Sequence, residues 1–263
     1  MVTLNSEWHK FRSVRELWVG LGLALLLTLL DACSSSLGLA APVDWLWLDA
    51  ANYQFGMLPL LLPVALIPGL ASSFCGERRG PWGPLRCTSR GLAETFSTKV
   101  FLALLLSAGA AVLLCVTNLA VMTVRYNQGI SLLLRNDFIM SSPGLRQGAT
   151  ILEGWLTQLG YSVLGACCLS GLFLLLSCLL RRPLSVMVAA LLLYGLPACV
   201  HYGLLPGSLD VLNAAAWSWV GMLSYDWPRT VGAPLWAFPL YMLAVLAAEL
   251  ALVRLAWRRR DTH

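Results

Sequence analysis

The feature that most constrains this chain is a set of long uncharged runs: residues 55–74, 100–124, 154–180 and 184–202 contain no Asp, Glu, Lys or Arg. Each approaches or exceeds the roughly twenty apolar residues needed to cross a hydrocarbon core of about 30 Å. Only 12% of the 263 residues are charged and 58% are hydrophobic, against about a quarter charged in ordinary soluble domains. Too little polar surface remains to cover a water-soluble protein. The chain therefore reads as an all-α integral membrane protein forming one transmembrane domain over residues 1–263.

A net charge of +5 does not indicate nucleic acid, because the basic residues sit in short loops beside the apolar runs, where they orient membrane helices. The eight cysteines do not form a disulfide framework either. Cys115, Cys167, Cys168, Cys178 and Cys199 fall within apolar runs, where cysteine behaves as a small hydrophobe. With no C-x-x-C spacing, neither a metal nor a redox centre is expected.

In chain order, residues 6–18 place Trp8, Phe11, Val14 and Trp18 at helical spacing with His9, Lys10, Arg12 and Arg15 between them. This pattern predicts an amphipathic helix on the membrane surface; the alternative is a first turn of the next helix. A first span follows from Leu17. Its Leu30-Asp31-Ala32-Cys33 imitates a lipoprotein processing site, but Asp31 does not suit a position that takes small or apolar groups. Asp31 lies about 20 Å above Trp18 at about 1.5 Å per residue, near the outer edge of the bilayer, so it reads as interfacial before it reads as a substrate site.

Residues 42–54 form an outer loop with Trp45, Trp47 and Tyr53, suited to the headgroup level. The second span, 55–74, carries Pro59, Pro63 and Pro68 and is expected to be kinked or partly unwound. Small residues recur every four positions in the third span (Ala103, Ser107, Ala111) and the fourth (Ser162, Ala166, Ser170), which lets helix backbones approach closely. Arg181-Arg182-Pro183 links the fourth span to the fifth, 184–202. The sixth begins near Thr230, passes Glu249 and ends at Arg254 and the Arg258-Arg259-Arg260 tail. Glu249, well inside that span, is a functional candidate by default; the plainer expectation pairs it with Arg254. Between the last two spans, the mostly apolar stretch 209–223 is too short to cross. The segment 203–232 should therefore dip in from the outer side and return, or lie flat.

With the amino terminus inside, the cytoplasmic pieces hold fourteen of the eighteen Lys and Arg residues, leaving Arg125, Arg135, Arg146 and Arg229 outside. This asymmetry predicts six spans with both termini cytoplasmic.

Signatures of catalysis are missing: there is no G-x-x-x-x-G-K-[ST], no H-E-x-x-H and no Asp-rich pair for a metal-bound diphosphate. One enzyme alternative stands, an intramembrane serine protease using Ser170-Gly171 with His201 as base.

The run Phe55-Gly56-Met57-Leu58-Pro59-Leu60-Leu61-Leu62-Pro63, then residues 73–79, Gly80, Thr88-Ser89-Arg90 and Lys99, resembles the permease subunits of ABC-2 type exporters. The six-span layout, amphipathic start and re-entrant piece extend the likeness over most of the chain. The resemblance implies a single transmembrane permease domain in a bacterial plasma membrane. Such a chain holds no cofactor of its own and is not itself an enzyme. It pairs with a second permease subunit, identical or related, and with a separate ATPase subunit that binds ATP and Mg, and it moves a peptide, antimicrobial or lipid-like substrate outward. The cytoplasmic loop 75–99 would dock in a groove of that ATPase through Glu77, Arg78, Arg79, Arg86, Thr88, Arg90 and Lys99. Pro84 would cost a coupling helix a backbone hydrogen bond, which displaces the expected helix to Leu85 or beyond. The competing expectation is a non-transporting membrane scaffold or immunity protein using the same loop.

Overall fold

The computed structural model describes residues 2–34, 50, 53–71, 73–74, 89–125, 150–180, 182–205, 217–224 and 236–260. Among these the chain is entirely helical, without a strand. The helices are α1 (Val2–Ser13), α2 (Arg15–Ser34), α3 (Leu58–Ala71), α4 (Ser89–Arg125), α5 (Ile151–Leu179), α6 (Pro183–His201), α7 (Trp219–Leu223) and α8 (Ala237–Arg260), with a π-helical turn at Tyr53–Met57 leading into α3. Five of them, α2, α4, α5, α6 and α8, are long and apolar enough to cross a membrane. That is the make-up of a multi-pass membrane protein. Leucines crowd the outer faces: Leu191, Leu192 and Leu196 of α6 and Leu26 and Leu30 of α2 are all more than half exposed. A soluble protein would rarely leave so much contiguous apolar surface to water.

The amphipathic helix expected over 6–18 is divided. α1 ends at Ser13, Val14 is not helical, and Trp18 belongs to the first turns of α2. The Ser13 hydroxyl donates to the Lys10 carbonyl at 2.7 Å, offering the backbone an alternative to the next helical bond. Trp18 Nε1 donates across the corner to the Arg12 carbonyl at 2.9 Å. The last helix, in turn, continues past Val253 through the arginine tail to Arg260.

α3 lies at the centre of the bundle with nearly all of its residues buried. Its three prolines fall within one continuous α-helix that a π turn precedes, and donors from other helices serve the backbone around them. Pro63 cannot donate to the Pro59 carbonyl four residues back, and Tyr194 Oη of α6 does so at 2.6 Å. Tyr202 Oη serves the Gly56 carbonyl of the π turn at 2.6 Å, and Tyr53 Oη and Thr28 Oγ1 of α2 share a bond of 2.7 Å. Pro68 likewise leaves the Val64 carbonyl without its helical donor. Gly20 of α2 lies directly against that oxygen, and a Cβ there would stand 2.7 Å from it.

α5 is the most buried of the five long helices and packs extensively on both α4 and α8. Its small-residue row meets that of α4 as the spacing predicts. Ala103, Ser107, Ala111, Ser162, Ala166 and Ser170 are all buried, and the Ser107 and Ser170 hydroxyls hydrogen-bond across the seam. Cys115, Cys168 and Cys178 are buried, and Cys167 and Cys199 are partly buried. The two ends of the bundle are distinct. At one end α1 meets the base of α4, and Trp257 of α8 stacks near Phe74 and Phe96 at ring separations of 5.0 and 6.4 Å. At the other, Arg125 Nη1 donates to the Ala32 carbonyl at 2.8 Å. The described parts of both terminal helices therefore share one end.

Candidate functional site

Two polar sites stand out in this apolar scaffold. The first lies at the root of α4. Lys99 is only 3% exposed, and its Nζ donates to the Ser73 carbonyl just past the end of α3 at 2.8 Å. The same nitrogen stands 3.3 Å from Glu7 Oε2 of α1 and 5.3 Å from the centre of the Phe74 ring, within cation–π range. Glu7 is 4% exposed and is also bonded by Lys10. One buried ammonium thus ties three helices together. A charge removed from water on this scale is tolerable only when paired and hydrogen-bonded, and α1 supplies the pairing carboxylate. Asn5, Trp8, His9 and Arg12 of α1 remain exposed.

The second site is inside the bundle. Glu249 of α8 is 5% exposed and faces α5 and α7. Its Oε1 accepts a hydrogen bond of 2.7 Å from Trp219 Nε1, while Oε2 is buried without a hydrogen-bond partner. Gly171 of α5 makes the necessary room, since a Cβ there would collide with the carboxylate. Cys168, one turn earlier on α5, donates its thiol to the Met242 carbonyl of α8 at 3.3 Å. The expected partnership of Glu249 with Arg254 is not the one formed. The two residues lie five positions apart, about 140° around the axis of a helix of 3.6 residues per turn, so Glu249 turns into the bundle while Arg254 is exposed.

Trp219 arrives on α7, a single buried helical turn in which Val220, Met222 and Leu223 are almost fully enclosed. Glu249 is twelve residues from the start of α8, so α7 sits about 18 Å along that helix at about 1.5 Å per residue. Short irregular backbone at such depth is tolerated where protein encloses it, and here α5 and α6 do so. The flanking residues 206–216 and 225–235 lie outside the described residues.

Asp31 is half-buried near the end of α2, at the end of the bundle where Arg125 holds the neighbouring Ala32 carbonyl. It is not brought to Glu249. Of the loop residues expected to contact a partner, Glu77, Arg78, Arg79, Arg86 and Thr88 lie outside the described residues. Arg90 falls in the first turn of α4. Lys99, the last of that set, is placed in the interior with Glu7 and Ser73, so its ammonium is already engaged within the chain. Ser170 and His201 are not assembled into a catalytic pair. The Ser170 hydroxyl bonds to Ser107 and to the Ala166 carbonyl, and His201 packs edge-on to Tyr202 at the end of α6.

Sequence reasoning overlooked Glu7 and did not connect Trp219 or Gly171, the latter named only beside Ser170, with Glu249. Glu7 carried a usable signal, as one of only two acidic residues, with Glu16, in an otherwise basic amphipathic stretch. The facing of Trp219 and Gly171 toward Glu249 is a tertiary juxtaposition that no local spacing encodes. It also overlooked three amides, Gln54, Asn118 and Gln158, which are buried and retain side-chain polar atoms without hydrogen-bond partners. No protein-family model, curated protein or solved structure matches this chain.

Proposed function

We propose that this chain is the membrane-spanning permease subunit of an ATP-driven exporter of the ABC-2 type, energised by a separate ATPase subunit that docks on the loop between α3 and α4. In this reading the π turn and α3 count as a span alongside the five long helices, giving six. The end shared by α1 and the close of α8 is cytoplasmic, and α7 is the tip of a segment re-entering from outside. The full assembly contains a second permease subunit, the same chain or a related one, and the cargo is a peptide, antimicrobial or lipid-like molecule.

The observation that carries this reading is the shape of α4 at its root. Its 37 residues amount to about 55 Å, more than the roughly 40–45 Å of a whole bilayer with headgroups. The uncharged stretch starts only after Lys99, so about three turns bearing Arg90 and the exposed Glu94 project beyond it toward the basic loop. A push on this projection meets the Lys99–Glu7–Ser73 junction first, and that junction joins α1, α3 and α4. A mechanical input at the loop would thus reach three helices at one point.

Charge reversal tests the docking. Changing Arg86 and Arg90 to Glu should weaken co-purification with the ATPase or uncouple substrate-stimulated ATP hydrolysis, because repulsive contacts at a desolvated surface cost several kcal/mol. Arg86→Lys and Arg90→Lys should retain assembly. A doubly reversed protein that inserts normally, co-purifies with its ATPase and transports at the original rate would refute the docking role. A chain that never associates with an ATPase would favour the non-transporting scaffold.

A further inference from the structure

Between α2 and α4, floored by α3, lies an apolar cleft of about 290 Å³. Trp8 of α1 and Trp18 of α2 border it at the end nearest Lys99, Ala65 of α3 contributes to its wall, and it follows α4 from Leu105 to Leu113. That is about 12 Å at about 1.5 Å per residue, close to the roughly 15 Å that one leaflet contributes to the hydrocarbon core. An apolar groove of that length matches the acyl chain of a lipid in one leaflet.

The charge at its tryptophan end narrows the occupant further. Trp18 donates to the backbone carbonyl of Arg12, and Arg12 and Arg15 are both exposed there beside His9, with Glu16 as the exposed carboxylate of the same turn. Two guanidinium groups at the level of interfacial tryptophans match an anionic headgroup. We propose that this cleft is a binding site for one anionic phospholipid of the bilayer, with an acyl chain lying along α4 over Ala65 and the phosphate held at Arg12 and Arg15. Gly109 keeps the groove open. It lines the cleft, and a Cβ built on it meets no atom within 4 Å, so its lack of a side chain is not needed for helix packing. The site would be filled whether or not the chain exports anything.

Native mass spectrometry of the purified full-length protein with phosphatidylglycerol or phosphatidylcholine of identical acyl chains, at equal concentrations, tests both halves of the site. The wild-type chain should retain phosphatidylglycerol in preference. Arg12→Gln with Arg15→Gln should reduce that preference by roughly thirty-fold, corresponding to about 1 kcal/mol for each basic residue at an anionic membrane surface. Gly109→Leu should abolish retention of both lipids, and Gly109→Met should do the same if the leucine variant does not fold. Gly109→Ala should behave as wild type. Equal retention of the two lipids by the wild-type chain would overturn the headgroup assignment, and undiminished retention by both filled variants would overturn the cleft. A species of doubled mass that excludes lipid and is lost on filling Gly109 would give the groove to a second copy of the chain and defeat the proposal.

Discussion

At the scale of single residues, the protein is held by polar atoms that meet only because a neighbour is small or lacks a donor. Gly171 is the sharpest case, since Glu249 occupies the space a side chain there would fill. Gly171→Leu should lower the thermal unfolding midpoint in detergent, with a cost of about 1–3 kcal/mol typical of overpacking. Adding Glu249→Ala should recover part of the loss, because it removes the group struck. If Gly171→Leu is neutral, or the second change makes matters worse, α5 and α8 do not meet as described. The Tyr194 hydroxyl works by the opposite logic, supplying a donor where Pro63 has none, so hydroxyl and proline form a unit although they lie on different helices.

At the scale of elements, α1 is fastened to the bundle through its one buried carboxylate. Lys99→Met should leave Glu7 buried with Lys10 alone and cost about 3–5 kcal/mol, the usual result of breaking a buried ion pair from one side. The double change Glu7→Gln with Lys99→Met should cost less than Lys99→Met, since no buried charge is then left unmatched. Chemical unfolding of the wild type and the two variants in one detergent gives the comparison, and a double variant that is the least stable would contradict the pairing. α7 is fastened in a comparable way by Trp219 to Glu249. If α7 is the tip of a re-entrant segment, as proposed, single cysteines at Gly207 and Arg229 should react with an impermeant thiol reagent from the same side of the membrane. Labelling from opposite sides would make the segment a crossing.

At the scale of the whole molecule, the proposed topology puts both termini on the cytoplasmic side, and the end shared by the described parts of α1 and α8 is compatible with it. In a background without native cysteines, a cysteine at Gly80 or Thr262 should resist an impermeant reagent in intact cells, while one at Gly144 should react. Reaction at Gly80 from outside would invert the arrangement and remove the loop 75–99 from any cytoplasmic ATPase. The bundle has a short proline-containing helix at its centre beside the long, largely buried α5, with α2, α6 and α8 more exposed around them. The irregular helix is central because its unsatisfied carbonyls need donors on several sides, and lipid has none to give.

The sequence by itself determined the helical class, the places of the long apolar helices, the need for outside donors around the three prolines and the small-residue rows that α4 and α5 bury. Each of these follows from local chemistry: apolar length, missing backbone donors, and side-chain size at helical period. The helix expected over 6–18 was legible as a pattern but not in its bounds, because the stop at Ser13 depends on a corner that Trp18 closes from the next helix. Which way Glu249 and Lys99 face was decided only by tertiary structure. Spacing along one helix offered Arg254 to the first and an exposed loop to the second. Burial against Gly171 and Trp219, and against Glu7 and Ser73, overruled both, since a polar group taken out of water is held by whatever partner the fold brings within hydrogen-bond reach.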